Sequence, residues 1–171
     1  MTVRAVGDKV PRIAASAWVS EAAYVVGDVQ IGEGSSVWPG SVVRADVAPV
    51  VIGNRSHIED NCVVHTGMPL TVGDNVLVGH AVVLHCKSVG DNCLIGSHAT
   101  VLDGAVIGDH VLIAAGSLVL GGTVVPPSSF VVGSPAVVRP AKPEHMKMLD
   151  GLSNADGGYN EIIRAYRDAG L

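Results

Sequence analysis

The most regular feature of this chain is an apolar residue at every sixth position over most of its length. These positions are Ile13, Val19, Val25, Ile31, Val37, Val43, Ile52, Ile58, Val64, Val72, Val78, Leu84, Val89, Ile95, Val101, Ile107, Ile113, Val119, Val125 and Val131. An amphipathic helix repeats its apolar positions every three or four residues and a half-buried strand repeats them every two. A sustained period of six instead predicts a solenoid of hexapeptide repeats.

Each hexapeptide is predicted to form a short strand followed by a corner. All but one of the spaced residues are Val or Ile, whose β-branched side chains pack well on a pleated surface, so they are expected to point inward. Corners need residues that tolerate positive φ, which are chiefly Gly, Asn and Asp. The Gly-Asp pairs that begin at residues 27, 73, 90 and 108, with Asn75 and Asn92, therefore indicate corners and not catalytic acids.

Composition narrows the function. The chain has 171 residues, of which 48% are hydrophobic, only 4% are aromatic and 21 are glycine. One domain with a core of small aliphatic side chains is expected. The net charge of -5, with no cluster of Lys and Arg, argues against a nucleic-acid partner, because phosphate binding needs such clusters.

Cysteine usage and apolar runs bear on the compartment. Cys62, Cys86 and Cys93 are an odd number without a CxxC pair, which predicts neither a disulfide framework nor a Cys-only zinc site. The N-terminus has no apolar run typical of a secretory signal. Glycines and prolines interrupt the uncharged run 111–138, so it is not predicted to span a membrane. A cytoplasmic protein with no membrane partner is expected.

The repeat becomes irregular around three histidines, His65, His80 and His85. Eight residues instead of six separate Val64 from Val72, which predicts an excursion over 66–70, and only five separate Leu84 from Val89. Such irregularities are expected where function overrides a regular pattern. Neutral imidazole is a common metal ligand, and catalytic zinc usually has three protein ligands and one open position. The segment therefore predicts a metal site.

The spacing of the three histidines predicts how they share that site. His65 and His85 each follow an inward residue, and the twenty residues between them equal one coil of three hexapeptides plus the excursion. The two rings should stack on one prism edge, about 4.8 Å apart. His80 lies on a neighbouring edge, too far away to join them within one chain. If all three bind one ion, the third ring comes from another copy, which predicts a cyclic trimer.

A second irregularity surrounds Arg44 and Asp46. Nine residues separate Val43 from Ile52, and the charged pair is followed by Val-Ala-Pro, which predicts a loop leaving the prism over 44–49. Two interpretations of the pair remain open. It could be a solvated surface ion pair, which contributes little, or an Arg-Asp pair at an interface or beside a substrate.

The C-terminal part is predicted to be helical. Prolines at 126, 127, 135 and 140 mark an exit from the solenoid. An apolar stripe then begins at Pro143 with Met146, Leu149 and Leu152, and a second follows Gly157-Gly158 with Tyr159, Ile162, Ile163 and Tyr166. This predicts a β-helix domain over 1–139 and a helical segment over 140–171 that packs along a prism face.

Several motifs together resemble the gamma class of carbonic anhydrases and their close relatives. They are RAD at 44–46, NCVVHT at 61–66, VGHAVVLHC at 78–86, LIGSHATVLDGAVIG at 94–108 and VVGSPAVVR at 131–139. The resemblance covers residues 10 to about 139. It implies the fold of the hexapeptide-repeat superfamily, an all-β solenoid that is a left-handed parallel β-helix, here with a C-terminal α-helical segment.

The resemblance also implies an activity and a site. Members of this family are homotrimers that bind zinc or ferrous iron between subunits, and cobalt is also possible. By motif position the metal ligands are His65, His80 and His85. The implied reaction is reversible hydration of carbon dioxide to bicarbonate by metal-bound hydroxide. Arg44 and Asp46 match the family's Arg-Asp pair, and Tyr159 matches a tyrosine of the terminal helix that can reach the metal cleft.

Two positions depart from the family pattern. Active members commonly have Asn and Gln eight and six residues before the first metal histidine, and here these are His57 and Glu59. The Glu59 carboxylate could stabilise the metal or act as a general base, or it could repel bicarbonate. His98, eighteen residues after His80, is interpreted either as a neighbour of the site or as a surface residue.

Three classes of function remain open on the sequence. The first is a carbonate dehydratase. The second is a hexapeptide acyltransferase, which would use one histidine as general base, although the equivalence of His65 and His85 speaks against it. The third is a weakly active or non-catalytic metal- or ligand-binding protein, which His57 and Glu59 favour.

Overall fold

The computed structural model describes residues 2–154 and 156–170, with side chains for 2–151 and 158–170. The strands are β1 (Val3–Arg4), β2 (Arg12–Ile13), β3 (Trp18–Val19), β4 (Tyr24–Ile31), β5 (Ser36–Val37), β6 (Val42–Ile52), β7 (His57–Ile58), β8 (Val63–His65), β9 (Leu70–Val72), β10 (Leu77–Val78), β11 (Val83–Leu84), β12 (Ser88–Val89), β13 (Leu94–Ile95), β14 (Thr100–Val101), β15 (Val106–Ile107), β16 (Leu112–Ile113), β17 (Leu118–Val119), β18 (Val124–Val125), β19 (Ser129–Gly133) and β20 (Ala136–Pro140). Two helices follow, α1 (Pro143–Asn154) and α2 (Asp156–Asp168).

The strands wind into a left-handed parallel β-helix of about seven turns, as predicted. One prism face, the third face, is the sheet β20-β19-β16-β13-β10-β7-β5-β3. The other sheet covers two faces because β4 and β6 are long enough to continue around a corner. The first face contains β8, β11, β14 and β17, and the second contains β9, β12, β15 and β18.

The core is built from the residues at the six-residue spacing. All of them are buried except Ile13 and Val19, which are partly buried and pack against the others. Because every inward position carries a small aliphatic side chain, successive turns stack in register with few aromatic groups inside. Asn75 and Asn92 occupy corners with a φ of 55°, so the corner interpretation of these residues is confirmed.

The three cysteines are buried free thiols. Burial raises the pKa of Cys62 to about 11 and the pKa values of Cys86 and Cys93 to about 12. The Cys62 thiol donates to the Gly79 carbonyl at 3.0 Å, within the solenoid wall. These buried side chains therefore fill space in the core.

The loop predicted over 44–49 is wrong. The structure keeps this segment within one strand, β6, that pairs with β4 on both sides of an irregularity. Gly27 pairs with Ala45 and Val29 pairs with Val50, so four residues of β6 lie opposite Asp28 alone. The extra residues therefore form a bulge, which re-aims side chains while the strand continues.

The C-terminal segment covers the third face. Helix α1 begins at Pro143, as predicted, whereas α2 begins at Asp156 and not after Gly157-Gly158. Glycine costs only about 1 kcal/mol in a helix, which the packing of α2 outweighs. Ile163 of α2 is buried in a cluster with Trp18 and Trp38. The predicted packing of Leu152 lies outside the described side chains.

In the described ranges, neither α1 nor α2 is long and apolar enough to cross a membrane.

Candidate metal centre

The first pair of predicted ligands lies together at one corner. Val64 and Leu84 pair directly in β8 and β11, so the residues that follow them, His65 and His85, are stacked one turn apart. Their ring centroids are 5.3 Å apart, and the ring planes are inclined by 55°. The predicted stacking is thus observed at this corner, between the first and second faces.

His65 has an unsatisfied nitrogen. Its side chain is only 16% exposed, and its Nε2 is buried without a hydrogen bond. Burial, the Arg44 charge and the neighbouring His85 together lower the pKa of His65, while Asp46 opposes them. The ring is therefore held in the neutral form that metal coordination requires.

Arg44 and Asp46 adjoin this ring. Arg44 pairs with His65 across β6 and β8, which places the β6 bulge beside the histidine corner. The Arg44 guanidinium donates to Asp46 Oδ2 at 2.6 Å, and Asp46 Oδ1 lies 3.4 Å from His65 Nε2. The bond from Arg44 lowers the pKa of Asp46. The pair therefore presents an oriented carboxylate and a cation next to the imidazole of His65.

His85 is held by a carboxylate that the sequence reasoning missed. Its Nδ1 lies 2.9 Å from Asp103 Oδ1. A proton on Nδ1 fits this contact and leaves the Nε2 lone pair free, as is usual for metal-ligating histidines. The available signal was positional, since Asp103 lies two residues after Val101, the inward residue that pairs with Leu84 in the next turn.

His80 lies at a different corner, between the third and first faces, and its side chain is 56% exposed. Its Nδ1 lies 3.2 Å from Asp60 Oδ2, and its Nε2 lies 3.3 Å from Glu59 Oε2. Asp60 was also missed, although it precedes Val64 by the same four residues as His80 precedes Leu84. No group of three His, Cys, Asp or Glu side chains among the described residues of one chain could hold a metal ion.

Tyr159 and His57 meet at Glu59. The Tyr159 hydroxyl donates to Glu59 Oε1 at 2.6 Å, and burial, followed by this bond, raises the pKa of Tyr159. The Tyr159 ring stacks on His57 with centroids 4.0 Å apart and planes inclined by 13°. His57 Nδ1 is also 2.8 Å from the Ser36 hydroxyl. Helix α2 thus supports Glu59, which in turn contacts His80.

His98 does not stack above His80. Leu84 pairs with Val101, so this turn spans seventeen residues instead of eighteen, and Ser97 occupies the position above His80. His98 instead takes the left-handed corner position, with a φ of 61°. The missing residue between Leu84 and Val89 causes the shift.

The first face connects the two corners and carries an apolar column. Paired strands align the outward residues Tyr24, Val42, Val63, Val83, Thr100 and Leu118. Tyr24 is 45% exposed and Val63 is 40% exposed. On the second face the aligned residues are more polar, namely Arg12, Gln30, Val51, Thr71, Ser88, Val106 and Val124. His65 and His85 therefore border one side of an uncovered apolar face, and His80 borders the other.

The sequence of this chain is similar to those of known hexapeptide-repeat proteins and carbonic anhydrases. The family model of bacterial transferase hexapeptide (six repeats) matches residues 86–121. A probable carbonic anhydrase of Methanocaldococcus jannaschii is 49% identical over 87% of this chain and 96% of that protein. A mitochondrial gamma carbonic anhydrase 2 of Arabidopsis thaliana is 42% identical over 58% of this chain and 38% of that protein.

Solved structures agree on the fold. The crystal structure of a hexapeptide transferase family protein from Anaplasma phagocytophilum superposes with a TM-score of 0.89. It is 32% identical, over 96% of this chain and 98% of that one. With a relative of high identity aligned over almost its whole length, this chain belongs to the gamma-class carbonic anhydrase-like family of hexapeptide-repeat proteins.

Proposed function

We propose that this protein is a homotrimeric, metal-dependent carbonic anhydrase that interconverts carbon dioxide and bicarbonate at sites shared between subunits. The observation that carries the proposal is the buried Nε2 of His65, which has no hydrogen bond and lies in a stacked pair with His85. A buried nitrogen without a hydrogen bond is costly, and the ionised Asp46 carboxylate at 3.4 Å has no proton to donate to a neutral ring, so an external partner is expected.

The donor set fits a divalent metal. His65 is kept neutral by its surroundings, and the contact with Asp103 favours an Nε2 lone pair on His85. Two neutral imidazoles with a third from elsewhere match the ligand preferences of zinc, and also suit ferrous iron or cobalt. When bound, such an ion lowers the pKa of water so that hydroxide is available near neutral pH.

The third imidazole is proposed to be His80 of a neighbouring copy. In a cyclic trimer each subunit presents one edge of a face to the opposite edge of the next subunit. Because His65 and His85 lie along one side of the first face and His80 along the other, this arrangement brings the three rings together. It also covers the apolar column that contains Val63, which a monomer would leave in water.

The remaining residues bind and position the reactants. Arg44, which is already hydrogen-bonded to Asp46, offers charge-assisted donors to bicarbonate. The same bond keeps Asp46 ionised, so its Oδ1 can accept a hydrogen bond beside His65. Glu59 would enter the site together with His80, and its Oε2 would accept a proton while Tyr159 holds its Oε1.

Metal reconstitution and assembly test the proposal. We expect one zinc, iron or cobalt ion per chain, a trimer by analytical ultracentrifugation, and chelator-sensitive hydration by stopped flow. Val63→Glu on the first face should dissociate the trimer and release the metal together, because the charge would be buried. The matched control is Thr71→Glu on the exposed second face, which should remain a metal-loaded trimer. Dissociation in both variants, or in neither, would contradict the shared site.

Replacing Glu59 sharpens the role of the carboxylate. Glu59→Gln restores the family amide and keeps an acceptor for Tyr159, so we expect the hydration rate to rise several-fold as the negative charge near bicarbonate is removed. An unchanged or lower rate would show that the carboxylate itself is used. The control is Glu161→Gln, an exposed carboxylate of α2.

An acyltransferase is the second candidate, because the name of the Anaplasma relative places it among transferases. Such an enzyme needs one histidine as general base and a site for an acyl carrier. Calorimetry with acetyl-CoA decides between the two functions. Binding of acetyl-CoA by metal-free protein, without any metal-dependent hydration, would favour the transferase. Metal binding with neither activity would favour a non-catalytic protein.

A further inference from the structure

The β6 bulge has carbonyl groups that the sheet does not pair. Asp28 alone lies opposite residues 46–49, so the bulge cannot use the parallel ladder of β4. Close packing beneath it depends on Gly27, which has a φ of +89°, and a Cβ there would lie 2.5 Å from the Ala45 carbonyl carbon. The bulge therefore packs closely against β4 at Ala45, whereas its carbonyl groups from Asp46 onward need hydrogen-bond donors from elsewhere.

Lys9 provides those partners. Its ammonium group donates to the Asp46 carbonyl, and to the Val47 carbonyl at 3.2 Å. Lys9 is partly buried, although it lies in an N-terminal segment whose neighbouring residues are exposed. Hydrogen bonds from a charged donor are stronger than neutral ones, so this group fixes the two peptide units that the sheet leaves free.

The N-terminal segment holds Lys9 in place. Val6 and Lys9 exchange two backbone hydrogen bonds, of 3.0 and 3.1 Å, across a turn in which Gly7 has a φ of +60°. On one side of this turn β1 pairs with the first half of β4, and on the other side β2 pairs with its second half. The segment therefore crosses the corner as a strap, with Lys9 directed at the bulge.

We propose that Lys9 is a positioning residue of the metal centre, which acts through the bulge. By anchoring the backbone of Asp46, it keeps that carboxylate in contact with both Arg44 and His65. The side-chain hydrogen bonds of Lys9 go to the backbone carbonyls of Asp46 and Val47 and not to the histidines. The catalytic part of the inference rests on the function proposed above, whereas the anchoring part does not.

The test measures the bulge and the reaction separately in the zinc-reconstituted full chain. Lys9→Met keeps the length of the side chain and removes its donors, whereas Lys9→Arg keeps a cationic donor. The matched control is Lys147→Met, an exposed lysine on α1. In Lys9→Met we expect amide hydrogen exchange over residues 45–48 to rise about tenfold and kcat/KM for hydration to fall about tenfold. Lys9→Arg should restore most of both values, and Lys147→Met should change neither.

A double variant separates positioning from a general loss of stability. If Lys9 acts through Asp46, Lys9→Met should have no further effect on kcat/KM in an Asp46→Asn background. An equal effect in both backgrounds would overturn the inference, as would wild-type exchange over 45–48 in Lys9→Met. If Lys9→Met exchanges rapidly throughout the chain, Lys9→Gln, whose shorter and uncharged side chain loses the ammonium donor, takes its place with the same criteria. Raised local exchange in Lys9→Met, together with a zinc-reconstituted wild-type protein that has no hydration activity, would support the anchor and overturn the proposed function.

Discussion

Two columns of stacked side chains run along two corners of the prism, and they differ in whether the chain satisfies their polar atoms. In one column Asp74, Asp91 and Asp109 each accept a backbone N–H from the preceding turn, at 2.7 to 2.9 Å. In the other column His65 and His85 stack at the same interval, yet the buried Nε2 of His65 has no hydrogen bond. The same repeat therefore forms a hydrogen-bonded column at one corner and a column with an unbonded nitrogen at the other.

This difference distinguishes residues that only stabilise the repeat from residues that could form a functional site. The aspartates accept hydrogen bonds from backbone N–H groups of the chain itself, so they stabilise the turns and need no partner from outside the chain. In the histidine column the pKa of His65 is lowered and its Nε2 has no hydrogen bond, in a part of the repeat where residues have been added and removed. A column is a candidate site when its polar atoms exceed the partners that the solenoid supplies.

The largest expected effect comes from emptying the histidine column. His85→Ala should lower hydration by roughly a thousandfold and abolish stoichiometric zinc binding, because catalytic zinc needs all three ligands. The free energy of unfolding of the metal-free protein should change little. Stopped flow, metal analysis and urea denaturation measure the three quantities. His110→Asn, at a corner with positive φ, is the control and should retain metal and activity. Full zinc occupancy in His85→Ala would refute the ligand assignment.

Crowding the aspartate column should instead lower the free energy of unfolding and leave the histidine site in place. A Cβ at Gly90 would lie 2.8 Å from the Asp109 backbone nitrogen, so Gly90→Ala must displace the column. We expect a loss of about 3 kcal/mol in the free energy of unfolding. Gly67→Ala serves as the control, because nothing lies within 4 Å of its added Cβ. Equal stability of the two variants would show that close approach does not dictate glycine in this column.

Removing a carboxylate from each column sharpens the contrast. Asp103→Ala deletes the partner of His85 Nδ1 and should weaken zinc affinity about tenfold, with little change in stability, since outer partners orient metal ligands. Chelator competition measures this affinity. If the affinity stays at the wild-type value, the His85 ring is oriented by something other than Asp103.

Asp91→Ala is the counterpart and the smallest effect. It deletes the acceptor for the Asp74 backbone N–H, so we expect about 1 kcal/mol of destabilisation in urea denaturation. Zinc affinity and hydration should remain at wild-type values. A loss of zinc with unchanged stability would mean that the aspartate column is not purely structural.

The sequence predicted the core accurately but misjudged the insertion at Arg44. Counting in sixes shows where residues are added, but a loop and a bulge add the same number. The choice depends on β4, where Gly27 allows the two strands to approach and Lys9 pairs the extra carbonyls. Those partners are distant in the chain, so no local pattern contains the answer.

The second helix shows a related limit. Glycine has a low helix propensity, so Gly157-Gly158 was interpreted as a break, but propensity is a weak prior beside packing. Tyr159, Ile163 and Tyr166 place α2 against the tryptophans of the third face, and the helix begins before the glycines.

The sequence by itself determined the solenoid, the inward side chains and the stacking of His65 on His85. In a hexapeptide repeat, the number of residues between two positions fixes the turn and the corner of the prism on which each of them lies. Only the tertiary structure decided which groups surround those rings. Asp103, Asp60, the Glu59–Tyr159 bond and the Lys9 anchor arise where separate turns, the terminal strap and helix α2 meet. Contacts of that kind depend on side-chain reach and strand register, which a one-dimensional pattern does not specify.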